Sequence, residues 1–283
     1  MHEPGEERMV RAAEAIASAE ALLIGAGAGM GVDSGLPDFR GKHGFWNAYP
    51  PYAKLGLDFA AMANPEWFAT DPAFAWGFYG HRLNLYRRTE PHPGFAILRR
   101  WADRMPRRAF VVTSNVDGHF QRAGFAPERV MEVHGAIDWM QCTRHCGVGI
   151  FPSGPFEVHV DETTFRASEP LPACPGCGSL ARPNILMFGD LDWDGSRSAA
   201  QGDHLEAWLR SLGGVRLVLV ECGAGQAVPT IRRFSEQIAR QFGGTLIRIN
   251  PREPDVPPRQ IGLAMGALDA LRALDARWSA GAP

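Results

Sequence analysis

Five cysteines occur in the 283 residues, and four of them form two close pairs. Cys174 and Cys177 flank Pro175 and Gly176, with Gly178 following. Proline and glycine let backbone amides turn toward sulfur, which is the geometry of a thiolate knuckle. Cys142 and Cys146 form a second pair with a wider gap. Together the four suit tetrahedral zinc bound by four thiolates. His145 stands where a tighter knuckle would place its second ligand, so three cysteines with His145 is one alternative; four buried free thiols is the other. A closed set of four ligands keeps no position open for substrate, so one structural zinc is expected here. Removing it should unfold the module that carries it. Cys222 stands alone without an evident activating base, and is expected to pack at a strand end.

A second cluster of chemistry follows an apolar run at residues 21–24. Gly25, Gly27, Gly29 and Gly31 alternate with Ala26, Ala28 and Met30. A turn without side chains lets a diphosphate approach backbone N–H groups, and a helix N-terminus adds a favourable dipole. The spacing is not the usual dinucleotide fingerprint, and no Lys-Ser/Thr pair follows as a P-loop requires. Ser34 is not in a nucleophile elbow, since Val32 and not glycine stands two residues before it. A plain tight turn is the competing reading. Further on, Asn115 and Asp117 follow the run 109–112; they can hydrogen-bond ribose hydroxyls and a carboxamide, or simply form a turn and helix cap. Among nine histidines, His134 directly follows the run 130–133 and precedes Gly135. That is the carboxyl end of a strand, where ligands bind in open parallel sheets. An imidazole near its neutral pKa suits a general base, although a lone strand-end histidine is more often structural.

These residues need a frame. Apolar runs at 21–24, 109–112, 130–133, 215–220 and 245–249 alternate with helical stretches, beginning with a helical pattern over 6–20. Alternation of that kind predicts an α/β fold with a Rossmann-like parallel sheet covered on both faces. Two stretches interrupt it. Residues 42–88 are rich in aromatics, including Phe45, Trp46, Tyr49, Phe59, Trp76 and Phe78, and read as a helical insertion with its own apolar core. Residues 138–181 hold the cysteine pairs and short extended segments. The expected division is a Rossmann-like domain of residues 1–41, 89–137 and 182–283, the helical insertion, and the zinc-binding module. Residues 279–283 read as a frayed tail.

Hydrophobic residues make up 45% of the chain, enough for a sizeable core. The formal charge of −2 argues against an electrostatic nucleic-acid binder. No apolar run approaches the roughly 20 residues that cross a bilayer, and the acidic, polar start is wrong for a signal peptide. A cytoplasmic protein without membrane partners is therefore expected.

The longer strings resemble a known family. Gly27-Ala28-Gly29 followed by Ser34-Gly35-Leu36-Pro37-Asp38-Phe39-Arg40 is similar to the sirtuin signature nearly position for position. The segment Thr113 to Gly124, His134 within Val-His-Gly, Arg182 to Asp190, Val220 to Gly225 and Asn250 resemble the family's later motifs in the same order. The resemblance extends from Ala21 to about Leu271.

The resemblance implies an NAD-dependent protein-lysine deacylase. Gly27, Ala28, Gly29, Asp38, Phe39 and Arg40 would form the cofactor loop, with Phe39 over the nicotinamide pocket and Arg40 facing a phosphate or ribose. Ser114 and Asn115 would lie beside the ribose and Asp117 at the carboxamide. Gly223 and Gly225 would face the second phosphate site, and Asn250 the adenosine ribose. Phe188 and Gly189 would border a groove for the acyl-peptide, which adds to a sheet edge through main-chain hydrogen bonds. In the implied mechanism the acyl oxygen attacks the ribose carbon that bears nicotinamide. His134, with Asn115 beside it as the other catalytic residue, then activates a ribose hydroxyl. Free lysine, nicotinamide and O-acyl-ADP-ribose result, so NAD is consumed, and acylated protein lysines are the partners.

Three departures stand out: Gly31 where many sirtuins have serine, Ser114 in place of glutamine, and a second phosphate turn without Gly-Thr-Ser, where Gln226 is a possible polar substitute. They keep two alternatives open, an ADP-ribosyltransferase or NAD hydrolase on the same fold and a non-catalytic NAD-binding protein. Tyr79 and Arg82, three apart on one helix face, resemble the Tyr-x-x-Arg of sirtuins that remove succinyl, malonyl and glutaryl groups. A phenol and a guanidinium together hold a carboxylate; the competing reading is a packed tyrosine and a surface arginine.

Overall fold

We describe residues 5–37, 49–54, 56–154, 156–161 and 163–280 of a computed structural model of the protein. Asp38, Phe39 and Arg40 of the expected cofactor loop, with Phe45 and Trp46, lie outside the described residues.

The strands in chain order are β1 (Ala21–Ala26), β2 (Ala109–Thr113), β3 (Val130–Glu132), β4 (Gly135–Cys142), β5 (Ile150–Pro152), β6 (Val160–Asp161), β7 (Arg166–Ala167), β8 (Ala181–Ile185), β9 (Leu217–Cys222), β10 (Thr245–Ile249) and β11 (Ile261–Leu263). Six form a parallel sheet in the order β11-β10-β9-β1-β2-β3. The order reverses direction between β1 and β9, the switch point at which doubly wound sheets bind ligands. β1, β2 and β9 are buried at every position, which is why β1, β2 and the first four residues of β9 read as apolar runs.

The helices are α1 (Gly5–Ser18), α2 (Gly29–Val32), α3 (Pro50–Lys54), α4 (Phe59–Met62), α5 (Trp67–Thr70), α6 (Pro72–Arg88), α7 (Pro93–Arg104), α8 (His119–Arg122), α9 (Ser196–Arg210), α10 (Thr230–Phe242) and α11 (Ala267–Ala280). α1, α7 and α11 cover one face of the sheet through Ile16, Trp101 and Leu271. α9 and α10 cover the other through Trp208 and Ile238. α6 begins where the Asp71 carboxylate accepts the Phe74 N–H and Pro72 occupies the first turn. α10 stops at Gly243, whose φ of 64° is left-handed. No helix among the described residues is long and apolar enough to cross a membrane.

The aromatic insertion does not keep a core of its own. Phe68, Trp76, Phe78 and Leu83 share one cluster with Met140, Val158, Ala181 and Ile185. Trp76 is wholly buried and its indole N–H donates to the Ala181 carbonyl at 3.0 Å. Truncating such a side chain to alanine costs about 3–5 kcal/mol. Insertion and cysteine module thus meet on the sheet β5-β4-β8, whose strands β4 and β8 cross the two expected boundaries of the cysteine module.

Candidate functional site

Register gathers the site. Ala26 pairs with Thr113 on one side and Cys222 on the other; Thr113 pairs with Glu132, and Cys222 with Ile249. Five strand ends are thereby level, and the residues that follow them share the carboxyl edge: Gly27, Ser114 and Asn115, His134, Gly223 and Asn250.

The two glycine turns touch backbone to backbone. A Cβ on Gly27 would lie 2.7 Å from the Ala224 Cα, and one on Gly223 would lie 2.4 Å from the carbonyl carbon of Gly29. Gly223 also has a φ of 65°, so no other residue fits there without strain. The Gly29 N–H donates to the Gly223 carbonyl at 3.1 Å, and the Gly223 N–H to the Ile249 carbonyl at 2.9 Å. The amides of Ala28, Ala224 and Gly225 donate to no protein acceptor among the described residues. Orphan donors at a switch point fit a diphosphate. The expected helix dipole is slight, since α2 is only four residues long; the donors belong to the turns.

Asn115 is tied to the first turn. Its Nδ2 donates to the Gly27 carbonyl at 3.0 Å, and its backbone N–H donates to the Thr113 hydroxyl at 3.0 Å. The Ser114 N–H donates to the Ala26 carbonyl at 3.0 Å, with its hydroxyl 3.4 Å from the same oxygen. Asp117 is buried and its Oδ1 accepts the His119 N–H at 2.9 Å in the turn that leads into α8, whose N-cap is Gly118. Its Oδ2 lies 3.7 Å from where a Cβ on Gly31 would sit, and the Leu36 side chain lies closer to that point, at 3.1 Å. The His134 ring hydrogen-bonds the Ser114 carbonyl, while burial lowers its pKa from the usual value. A neutral imidazole that can take up a proton results. Gly27, Ser114, Asn115, Asp117 and His134 are thus brought to one place.

Asn250 behaves differently from the expectation. It is fully buried, its Nδ2 donates to the Ala224 carbonyl at 3.0 Å, and its Oδ1 accepts the N–H groups of Arg252 and Glu253 at 3.0 Å. A side chain so engaged shapes the second turn from below. The Gln226 N–H is also committed, to the Glu253 carboxylate at 2.9 Å.

Residues beyond the sequence reading anchor β3, the strand that leads to His134. β3 is an edge strand, and α9 satisfies it with side chains: Gln201 Oε1 accepts the Glu132 N–H at 3.0 Å and the Ser198 hydroxyl donates to the Glu132 carbonyl at 2.8 Å. The buried Glu132 carboxylate meets Arg197 at 2.5 Å. A charge inside the apolar run 130–133 was the available signal.

Tyr79 and Arg82 lie on α6 and both are buried, which removes the surface-arginine reading. Arg82 donates through Nε and Nη2 to the Tyr86 hydroxyl at 3.1 and 2.8 Å, among the rings of Phe59, Phe78, Tyr79 and Tyr86. The Tyr79 hydroxyl has no hydrogen-bond partner among the described residues, and burial raises its pKa. Phe59 lies 6.2 Å from Phe188, ring centre to ring centre. Phe188 is 45% exposed, and Gly189 turns with a φ of 69°. The Arg182–Asp190 pair closes this loop with two buried bonds of 2.7 and 2.9 Å.

The cysteines form a separate centre. The Sγ atoms of Cys142, Cys146, Cys174 and Cys177 all lie within 4.8 Å of one another, with contacts of 3.6 Å (Cys142–Cys177) and 3.5 Å (Cys146–Cys174). Tetrahedral zinc with bonds near 2.3 Å requires sulfur separations of about 3.8 Å, so the set fits zinc. The Arg144 N–H approaches Cys142 Sγ at 3.3 Å and the Gly176 N–H approaches Cys174 Sγ at 3.4 Å, as thiolates require. His145 is not in the cluster; it occupies the turn at a φ of 47°. From His134 to Cys142 the chain runs eight residues, or roughly 25 Å along an extended strand. This metal is remote from the crevice. Cys222 is fully buried, as expected of a packed strand end.

The sequence matches the Sir2 family model over residues 27–207. The NAD-dependent protein deacylase of Pyrococcus abyssi is 31% identical over 253 residues, covering 88% of this chain and 89% of the relative. NAD-dependent protein deacylase 1 of Archaeoglobus fulgidus is 32% identical over 246 residues, covering 86% of each. Among solved structures, a mutant Sir2 homologue in complex with ADP-ribose superposes with a TM-score of 0.69 at 27% identity, over 95% of this chain and 96% of the other. A Sir2 homologue–NAD complex gives 0.67 at 26% identity, over 96% and 94%. With the fold, the crevice and these likenesses in agreement, the chain belongs to the Sir2 family.

Proposed function

We propose that the chain removes acyl groups from protein lysine in a reaction that consumes NAD. The observation that carries this reading is the meeting of three strand ends, with Asn115 bonded to the Gly27 carbonyl and the His134 ring on the Ser114 carbonyl. The names of the curated relatives and the ligands of the two structural neighbours agree with it.

NAD and one water would be consumed: the acyl oxygen would bond to the ribose carbon as nicotinamide leaves, a ribose hydroxyl would take the acyl carbon as the lysine nitrogen leaves, and the water would complete O-acyl-ADP-ribose. The chain's residues do the rest. The amides of Ala28, Ala224 and Gly225 bind the diphosphate. Asn115 and Ser114 border the ribose, and Asp117 offers Oδ2 to the carboxamide. His134, kept neutral by burial, accepts a proton from a ribose hydroxyl, a role worth about 10²–10⁴ in rate. Phe188 and Gly189 flank the acyl-lysine, and the aromatic wall around Arg82 keeps bulk water out. The four cysteines hold zinc as a structural ion.

Acidic acyl groups are the preferred substrates. A buried phenol without a partner beside a buried guanidinium fits a carboxylate better than a methyl group. Incubation with NAD and acetyl- or succinyl-lysine peptides, with products identified by mass, tests both statements. Peptide-dependent nicotinamide release with O-acyl-ADP-ribose is expected. Nicotinamide release without peptide would instead indicate an NAD hydrolase or ADP-ribosyltransferase. Succinyl turnover should exceed acetyl turnover and Arg82→Met should reverse that order; equal rates on both peptides contradict the acyl preference.

A further inference from the structure

The second glycine turn works without the hydroxyls that its family position usually supplies, and its hydrogen bonds show what holds it. The Ala224 carbonyl is drawn inward by two donors: Asn250 Nδ2 at 3.0 Å and Arg232 Nη1 at 3.4 Å. A trans, planar peptide sets the following N–H antiparallel to its carbonyl. The Gly225 N–H therefore points away from Arg232 and Asn250, outward over the turn, where it donates to no protein acceptor among the described residues.

Arg232 lies in the first turn of α10, only 7% exposed. Besides Ala224 it donates to the Glu253 carbonyl at 2.9 Å and, through Nη2, to the Asp255 carbonyl at 3.0 Å. One guanidinium thus joins the loop after β9 to the loop after β10. The neighbouring charges are already matched. Arg248 binds Glu221 at 2.5 and 3.1 Å and Glu236 at 3.0 Å, so Arg232 is left to serve backbone oxygens. Glu253 meanwhile takes the Gln226 N–H at 2.9 Å, which leaves the Ala224 and Gly225 amides as the turn's open donors.

We propose that Arg232 is a positioning residue for cofactor diphosphate. It holds the Ala224 carbonyl inward so that the Gly225 amide faces the ligand, in place of the absent Gly-Thr-Ser. The proposal rests on the cofactor reading above.

Calorimetric titration of the full chain with ADP-ribose, beside inhibition by adenosine, tests it. One misdirected hydrogen bond to a charged oxygen corresponds to about ten-fold in affinity. Arg232→Met should weaken ADP-ribose and raise KM for NAD by about that factor, with kcat and adenosine inhibition changed by less than roughly two-fold. Arg232→Lys, with charge but a single nitrogen, should fall between the two. Unchanged ADP-ribose affinity, an equal loss for adenosine, or a fall in kcat at constant KM overturns the proposal. Should Arg232→Met fail to fold, the same comparison is read from Arg232→Lys. An unaltered chain that binds no ADP-ribose overturns the cofactor reading itself, and the proposal with it.

Discussion

The crevice at the sheet's carboxyl edge and the cysteine centre at the far end of β4 are built in opposite ways. The crevice draws residues from five strand ends spread between Gly27 and Asn250, and its donors are mostly backbone amides fixed by strand register. The cysteine centre takes four side chains from two short segments, the end of β4 with the turn after it and the knuckle at 174–177. The sheet supports the first whether or not a ligand is present. The second needs its ion, because four converging thiolates repel one another without it. The lesson is that chemistry and stability are divided between the two places, with β4 as the link.

Stripping the metal should have the largest effect. Structural zinc binding contributes on the order of 10 kcal/mol or more to folding of small metal modules. A strong chelator, or Cys142→Ser, should melt the sheet β5-β4-β8 and abolish peptide turnover. Amides of β1, β2 and β9 should keep their protection in hydrogen exchange. Loss of protection throughout would show that the two regions are one cooperative unit.

Replacing the proposed base should do the reverse. His134→Ala is expected to lower kcat by about 10²–10⁴ while the melting temperature and ADP-ribose affinity stay near those of the unaltered chain. A drop in melting temperature with only a modest loss of rate would assign the ring a packing role.

The smallest effect concerns pH. Burial lowers the pKa values of His92, His119 and His134. Each stays neutral in the folded chain when its unfolded counterpart gains a proton near pH 6.5. The unfolded state then binds more protons, so stability falls as pH drops below about 6.5 and is fully present above it. Melting temperatures between pH 8 and 5.5 check this, and kcat/KM should hold its plateau to a pH below the ordinary histidine range. An activity limb above that range would contradict the neutral base.

The same contrast explains what could be read from sequence. β1 and β2 were legible because strands buried on both faces are continuous apolar runs. The four cysteines were legible because these ligands come in two pairs of sequence neighbours. The second turn was not, since its shape comes from Arg232 and Asn250, 8 and 26 residues beyond Ala224. Glu221 and Arg248 are buried inside strands as an ion pair, a pairing that neither residue announces alone. An apolar helix face shows that it will be buried but not against what, which is why the insertion was expected to close on itself and instead packs on β4 and β8.

The most direct test is a crystal structure with ADP-ribose bound. The account requires the diphosphate within hydrogen-bond reach of the Ala28 and Gly225 amides, and the distal ribose against Asn115 and the His134 ring. Density for the ligand away from the Gly27–Gly223 contact, or with its ribose beyond reach of that imidazole, would contradict it.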